Sequence, residues 1–195
     1  MKNIVFDLGG VLFARDKSKC TPELLEFFSF LRAPRMPLFW EEYDRGTSTL
    51  EEVTATISGM TGRPVETCAA VLRLAVDLQE PVRPTERLVG DLKAAGYRLY
   101  VLSNMSREFI DFLRRFPVYG LFDGEVVSCE ERTVKPEPRI YEILLERYGL
   151  TPSETLFIDD REMNIEAAAA LGIRGFLFDH RDPDAACDAL RERLL

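Results

Sequence analysis

Four short apolar runs constrain this chain most: Asn3 to Phe6, Arg98 to Ser103, Thr155 to Ile158 and Gly175 to Phe178. Each is rich in Val, Ile, Leu, Tyr or Phe, bounded by turn residues and too short for a helix. Continuous runs of this kind suit strands buried on both faces. Helical patterns lie between them. Tyr141, Leu144, Leu145 and Tyr148 recur at helical spacing and are closed by Gly149. Phe109, Phe112, Leu113 and Phe116 repeat the pattern, Leu88 and Leu92 begin another that ends at Gly96, and Asn164 to Leu171 is stopped by Gly172. This alternation predicts an α/β fold, a Rossmann-like parallel sheet with helices on both faces, whose ligand sits at the carboxyl ends of the strands.

One stretch breaks the alternation. From about Phe13 to Val82 the chain carries helical patterns and no strand signal, and it is too long for a loop. Glu23 to Leu31, Leu38 to Tyr43, Leu50 to Ile57 and Val65 to Leu78, separated by Pro34, Pro37, Gly46, Gly59 and Gly62, predict a helical bundle inserted over the active edge. The expected organisation is a core of residues 1–14 and 83–195 and a helical cap of residues 15–82 inserted after the first strand. A length of 195 residues suits one domain with such an insertion.

The net charge of −8 offers no footprint for a phosphate backbone or an anionic membrane, so neither nucleic acid nor membrane is an expected partner. No apolar run is long enough to span a bilayer. Cys20, Cys68, Cys129 and Cys187 lie far apart, and nothing at Met1 resembles a cleavable signal; the expectation is core thiols in a reducing cytoplasm. The single histidine, His180, excludes a histidine-based metal centre or triad and reads as a solvated loop residue. The sequence carries no signal of oligomeric state.

If the sheet is right, Asp7, Ser103 with Asn104, and Asp159 with Asp160 all fall at carboxyl ends of strands. Lys135 joins them from a loop, just ahead of Pro136, which reads as the first helical residue. The carboxylates suit Mg²⁺, a hard cation that takes oxygen ligands and shares them with substrate phosphate. The hydroxyl, the backbone amides and Lys135 suit the remaining phosphate oxygens. Asp7 is then free to attack phosphorus, an established form of covalent catalysis.

The segments Phe6-Asp7-Leu8-Gly9-Gly10-Val11-Leu12, Val101-Leu102-Ser103-Asn104, Lys135-Pro136-Glu137-Pro138-Arg139-Ile140-Tyr141 and Phe157-Ile158-Asp159-Asp160-Arg161-Glu162-Met163-Asn164 resemble, in order and spacing, the motifs of the haloacid dehalogenase superfamily of phosphohydrolases. Within it the chain looks most similar to sugar phosphatases acting on α-D-glucose 1-phosphate. The resemblance spans nearly the whole chain, with the insertion in the place of a helical cap. It implies that Asp7 is the nucleophile and a Mg²⁺ ligand, that the backbone carbonyl of Gly9 is a second metal contact, and that Asp160 is the direct carboxylate ligand, with Asp159 acting through water or from behind the direct ligands. It implies that Ser103 and Lys135 hold the phosphate, Lys135 as part of the catalytic set, with Asn104 at the phosphate or substrate. Asn164 would hold the metal's waters or cap its helix. The implied activity is a Mg²⁺-dependent phosphatase working through an aspartyl-phosphate on a small phosphorylated metabolite, such as a sugar 1-phosphate. Two alternatives are a metal-independent 2-haloacid dehalogenase and a catalytically weak regulatory protein that binds a phosphate ligand.

Gly9 departs from the family pattern. Most phosphatases of this kind carry an aspartate there to protonate the leaving oxygen and then activate water, help worth about 10²–10⁴-fold. A sugar anomeric oxygen leaves more readily than an ordinary alkoxide, which fits a site without that group. Asp16, near the start of the insertion, is the expected replacement. Blander readings accompany each residue: a turn aspartate at Asp7, helix-capping residues at Ser103-Asn104, and core packing for Trp40 and Tyr43, which with Arg45 and Gly46 otherwise suit a specificity pocket. Gly9-Gly10 lacks the third glycine of a dinucleotide fingerprint.

Overall fold

The computed structural model describes residues 2–32 and 36–195, so Pro34 lies outside the described residues. The strands are β1 (Asn3–Phe6), β2 (Phe13–Arg15), β3 (Gln79–Pro81), β4 (Arg98–Ser103), β5 (Gly124–Val127), β6 (Thr155–Asp159) and β7 (Arg174–Leu177). The helices are α1 (Pro22–Phe27), α2 (Leu38–Asp44), α3 (Leu50–Thr61), α4 (Val65–Asp77), α5 (Arg83–Ala94), α6 (Arg107–Leu113), α7 (Ser128–Glu131), α8 (Pro138–Tyr148), α9 (Glu162–Ala170) and α10 (Pro183–Leu194).

A five-stranded parallel sheet runs in the order β5-β4-β1-β6-β7. The first strand in sequence is central, with β4 on one side and β6 on the other, so the carboxyl ends of these three strands converge. Every residue of β1 is buried. Ile4 and Phe6 join the cluster under α5, α6 and α10, and Val5 joins the opposite cluster under α8 and α9. Burial on both faces is why these strands read as continuous apolar runs.

The expected helices form, with shifted ends. The α6 helix stops at Leu113, so Phe116 lies beyond it, and the segment from Glu23 splits into α1 and a short 3₁₀ turn over Ser29–Arg32. Gly149 ends α8 at a φ of 59°, as its position after the apolar stripe predicts. Pro136 is not the first helical residue. Glu137 N donates to Val134 O at 2.8 Å to close a turn, and the helix begins at Pro138.

Two elements depart from expectation. Strand β5 was not signalled, since Gly-Glu-Val-Val is short and half polar; Gly124 leaves room for the Tyr148 ring, which a Cβ there would meet at 2.3 Å. The stretch expected to lack strands contains an antiparallel ribbon, β2 with β3, pairing Arg15 with Gln79 and Phe13 with Pro81. Three-residue strands carrying Arg, Gln and Glu are too short and polar for periodicity to reveal. Between them α1 to α4 form an inserted helical cap around their own core of Leu24, Phe28, Trp40, Tyr43, Ile57 and Leu72, which also receives Phe109 of α6. Among the described residues no helix is long and apolar enough to cross a membrane. Cys68, Cys129 and Cys187 are buried free thiols and Cys20 is half-buried.

Candidate active site

Asp7 follows β1 directly, and its N–H extends the ladder to Ile158 O at 2.9 Å. The residue is buried. Its Oδ1 accepts from Leu8 N at 2.7 Å and Ser103 Oγ at 2.7 Å, and the Lys135 ammonium lies 2.9 Å away. Oδ2 accepts no hydrogen bond among the described residues. Ser103 reaches Asp7 because it ends the neighbouring strand, with its side chain on the sheet edge.

Lys135 projects from the loop before α8 and is also buried. Nζ donates to Leu102 O at 2.9 Å and to Asp159 Oδ2 at 2.6 Å, and with Asp7 this occupies all three ammonium hydrogens. Asn104 clamps the loop: Nδ2 donates to Lys135 O at 2.9 Å, and Lys135 N donates to Asn104 Oδ1 at 2.7 Å. Its amide therefore positions Lys135, and the Asn104 side chain still lines the cleft above Asp7.

Asp159 and Asp160 differ sharply. Asp159 is wholly buried, and its Oδ1 accepts from Arg161 N at 2.8 Å while Asn164 Nδ2 lies 3.0 Å from each oxygen. With Lys135 on Oδ2, both of its oxygens are taken. Asn164 does not cap its helix; it secures Asp159 while lining the cleft. Asp160 keeps its carboxylate on the cleft, with Oδ2 3.3 Å from His180 Nδ1. His180 is half-exposed, as expected of a loop residue, yet it also borders the site. Gly10, at a φ of 78°, passes so close that a Cβ would lie 2.5 Å from Asp160 Oδ2.

Ligand oxygens of Asp7, Asp159 and Asp160 all lie within 4.8 Å of one another. Burial, followed by the charges of Asp159 and Asp160, pushes the Asp7 carboxyl well above its usual range, against the pull of Lys135 and Ser103. Asp160 is raised to about 6, by burial first and then by Asp159. Burial disfavours the Lys135 ammonium, but Asp159 and Asp7 outweigh it and its pKa rises. Three carboxylates around one ammonium leave negative charge uncompensated in a buried place. All the donors are hard oxygens. The set fits a hard divalent cation, with Asp160 and the open Oδ2 of Asp7 as the carboxylate oxygens not already committed.

Above these groups lies a cleft of about 800 Å³. Gly9, Gly10 and Lys135 line its floor, and Phe28, Trp40, Asp44 and Phe109 line its upper walls. Trp40 therefore serves both the cap core and the cleft, while Tyr43, Arg45 and Gly46 bind the cap to the core. Asp16 is elsewhere. Its carboxylate accepts from Ser18 N and Ser18 Oγ at 3.0 and 2.7 Å and pairs with Lys19 at 2.9 Å, and the described lining does not include it. Those bonds, led by the Ser18 hydroxyl, hold its pKa down at about 2, the wrong direction for a proton donor. The residue missed by sequence reasoning is Asp44, which stands between Tyr43 and Arg45. It lines the cleft, and burial followed by the Asp7 charge raises it to about 7, against the Ser106 backbone amide and Arg161.

The sequence profile of the haloacid dehalogenase-like hydrolases matches residues 1–172. The sesquiterpene phosphatase astK of Aspergillus oryzae is 29% identical over 192 residues, covering 98% of this chain and 95% of that protein. The D-ribitol-5-phosphate phosphatase of Bacteroides thetaiotaomicron is 27% identical over 193 residues, covering 90% and 91%. A crystal structure of the HAD family enzyme bt-2542 from Bacteroides thetaiotaomicron, in complex with magnesium and inorganic phosphate, matches with a TM-score of 0.71 at 28% identity, over 92% of this chain and 95% of that one.

Proposed function

The chain belongs to the haloacid dehalogenase-like hydrolases, and from that premise we propose that it is a Mg²⁺-dependent phosphomonoesterase in which Asp7 forms an aspartyl-phosphate with a small phosphorylated metabolite. The observation that carries this reading is the state of Asp7: one oxygen is fixed by Leu8 N, Ser103 and Lys135, the other accepts no hydrogen bond among the described residues, and an Asp160 oxygen lies within 4.8 Å of the carboxylate. A carboxylate oriented in this way presents a lone pair without having to reorganise. Asp7, Asp160 and the Gly9 carbonyl would hold Mg²⁺, which when bound supplies positive charge for the phosphoryl oxygens. Ser103 and Lys135 orient Asp7 and stand next to the incoming phosphate; Asn104 keeps the Lys135 loop in place and offers its remaining amide hydrogen to substrate. Asp159 acts by holding Lys135. The cap, which we place within residues 15–82, closes over the leaving group.

The three clustered carboxylates weigh against a 2-haloacid dehalogenase, since attack on carbon needs no cation there. For the leaving group, a sugar 1-phosphate remains the first candidate on chemical grounds. A second reading, an apolar alcohol phosphate of prenyl type, is favoured by the walls of Phe28, Trp40 and Phe109 and by the likeness to a sesquiterpene phosphatase.

A panel of sugar 1-phosphates, polyol phosphates and prenyl phosphates, assayed for released phosphate with Mg²⁺ and with chelator, tests both layers. Hydrolysis lost on chelation and on Asp7→Asn is expected. Turnover that survives either change would overturn the mechanism, and the panel's ranking decides the leaving group.

A further inference from the structure

Four consecutive residues at the end of α2 are each fastened to the core. Tyr43 Oη donates to Glu108 Oε2 of α6 at 2.6 Å. The Asp44 carbonyl accepts the hydroxyl of Ser128, the first residue of α7. The Arg45 guanidinium forks onto both oxygens of Glu137, two residues beyond Lys135, at 2.9 and 2.6 Å. Gly46 adopts a φ of 74° and passes Cys129 so closely that a Cβ would lie 2.5 Å from its carbonyl oxygen. This latch is a built feature. The Arg45–Glu137 pair is bidentate, and Glu137, held down at about 2 by Arg45 first, also accepts from Thr133 Oγ1 at 2.7 Å.

The Asp44 carboxylate accepts from the Ser106 backbone N–H and forms no ion pair among the described residues. It lines the cleft shared with Asp7, Gly9 and Asp160. Position 9 offers room: among the described residues beyond its chain neighbours, a Cβ on Gly9 would meet Met105 Cε alone within 4 Å, at 3.9 Å. Packing therefore does not explain glycine there.

We propose that the Asp44 carboxyl is the general acid and base of the reaction, supplying from the cap the proton transfers that residue 9 does not supply from the core. The inference rests on the phosphomonoesterase reading above. As Asp7 attacks phosphorus, the bond from phosphorus to the leaving oxygen breaks and the Asp44 acid gives that oxygen its proton, releasing the alcohol. The Asp44 carboxylate then takes a proton from water as the water oxygen attacks the aspartyl-phosphate. The bond from phosphorus to Asp7 breaks, inorganic phosphate leaves and Asp44 is again protonated. A donor must hold its proton near neutral pH, and the environment of Asp44 supports this: burial, Asp7 and Glu41 favour the neutral acid, opposed by the Ser106 amide and Arg161.

The test compares wild type, Asp44→Asn and Asp44→Asn with Gly9→Asp on an alkyl phosphate and on p-nitrophenyl phosphate, whose leaving group needs no proton. Expected for Asp44→Asn is a kcat about 10²-fold lower on the alkyl phosphate. On p-nitrophenyl phosphate it should give a burst near one nitrophenolate per enzyme followed by slow turnover, as the aspartyl-phosphate accumulates. Adding Gly9→Asp should recover at least tenfold. A kcat within about twofold of wild type on both substrates overturns the proposal, as does a rise in KM with no burst, which would mark Asp44 as a cap-positioning residue. Circular dichroism of each variant checks the fold. Asp7→Asn separates the two layers: if it is inactive with no burst while Asp44→Asn behaves as wild type, only the Asp44 role falls; if it stays active, both fall.

Discussion

Asn104 and Lys135, 31 residues apart, exchange two hydrogen bonds, Nδ2 to the Lys135 carbonyl and the Lys135 N–H to Oδ1. Each side thereby fixes the other's loop, and the ammonium that bridges Asp7 and Asp159 is aimed by a side chain just past the end of β4. Asn104→Ala leaves a buried N–H and C=O without partners, a loss of about 1–3 kcal/mol. Urea unfolding should show it. Turnover should fall about tenfold or more, because Lys135 then orients Asp7 less well. A variant with wild-type stability and rate would remove the clamp from this account.

Gly10 sets how close the first loop comes to Asp160. Its φ of 78° and the 2.5 Å approach of a Cβ to Asp160 Oδ2 mean that Gly10→Ala must displace the carboxylate or the loop. In wild type, Mg²⁺ at a hundredfold excess over Kd should stabilise the fold by about 2.7 kcal/mol, a clear rise in Tm. In Gly10→Ala the same Mg²⁺ titration should raise Tm far less. An equal rise would show that Asp160 is not a ligand.

Asp44 ties stability to pH with a defined sign. In the folded protein it keeps its proton to about pH 7, whereas an ordinary aspartate releases it near 3.8. Folding therefore takes up a proton between those values, so the stability it contributes is full below about pH 4 and lost as pH rises through about 7. In Mg²⁺-free buffer, wild type minus Asp44→Asn unfolding free energy should fall steadily across that window. A flat difference would mean that Asp44 is solvated and ordinary.

How much of this was legible depended on whether a residue's role is local. Asp7, Asp159 and Asp160 end runs whose burial on both faces makes them strands, so their convergence follows from the topology. Asp16 shows the opposite error: its bonds to Ser18 and Lys19 are two and three residues away and readable, yet nearness to the insertion made it look like the missing acid. Asp44 was hidden for a different reason. Its neighbours Tyr43, Arg45 and Gly46 stood out by residue type, but only the contacts to Glu108, Ser128, Glu137 and Cys129, far along the chain, bring that turn over Asp7. The clamp of Asn104 on Lys135 was hidden likewise, because its partner lies on a distant loop. Strand β3 had no apolar signal to detect, and Phe13-Ala14 of β2 is too short to mark a strand.

That ribbon has a consequence for how such a protein can change. By pairing Arg15 with Gln79, β2 and β3 draw the two ends of the insertion together at a narrow neck. Once the ends are joined, lengthening the excursion costs the core little, since closure entropy grows only logarithmically with loop length. The core that fixes Asp7, Lys135 and Asp159 meets what lies beyond the neck at the end of α2 and along α6. Substrate choice can therefore drift by resizing α1, α3 and α4, while the sheet and the latched end of α2 keep the phosphate chemistry in place.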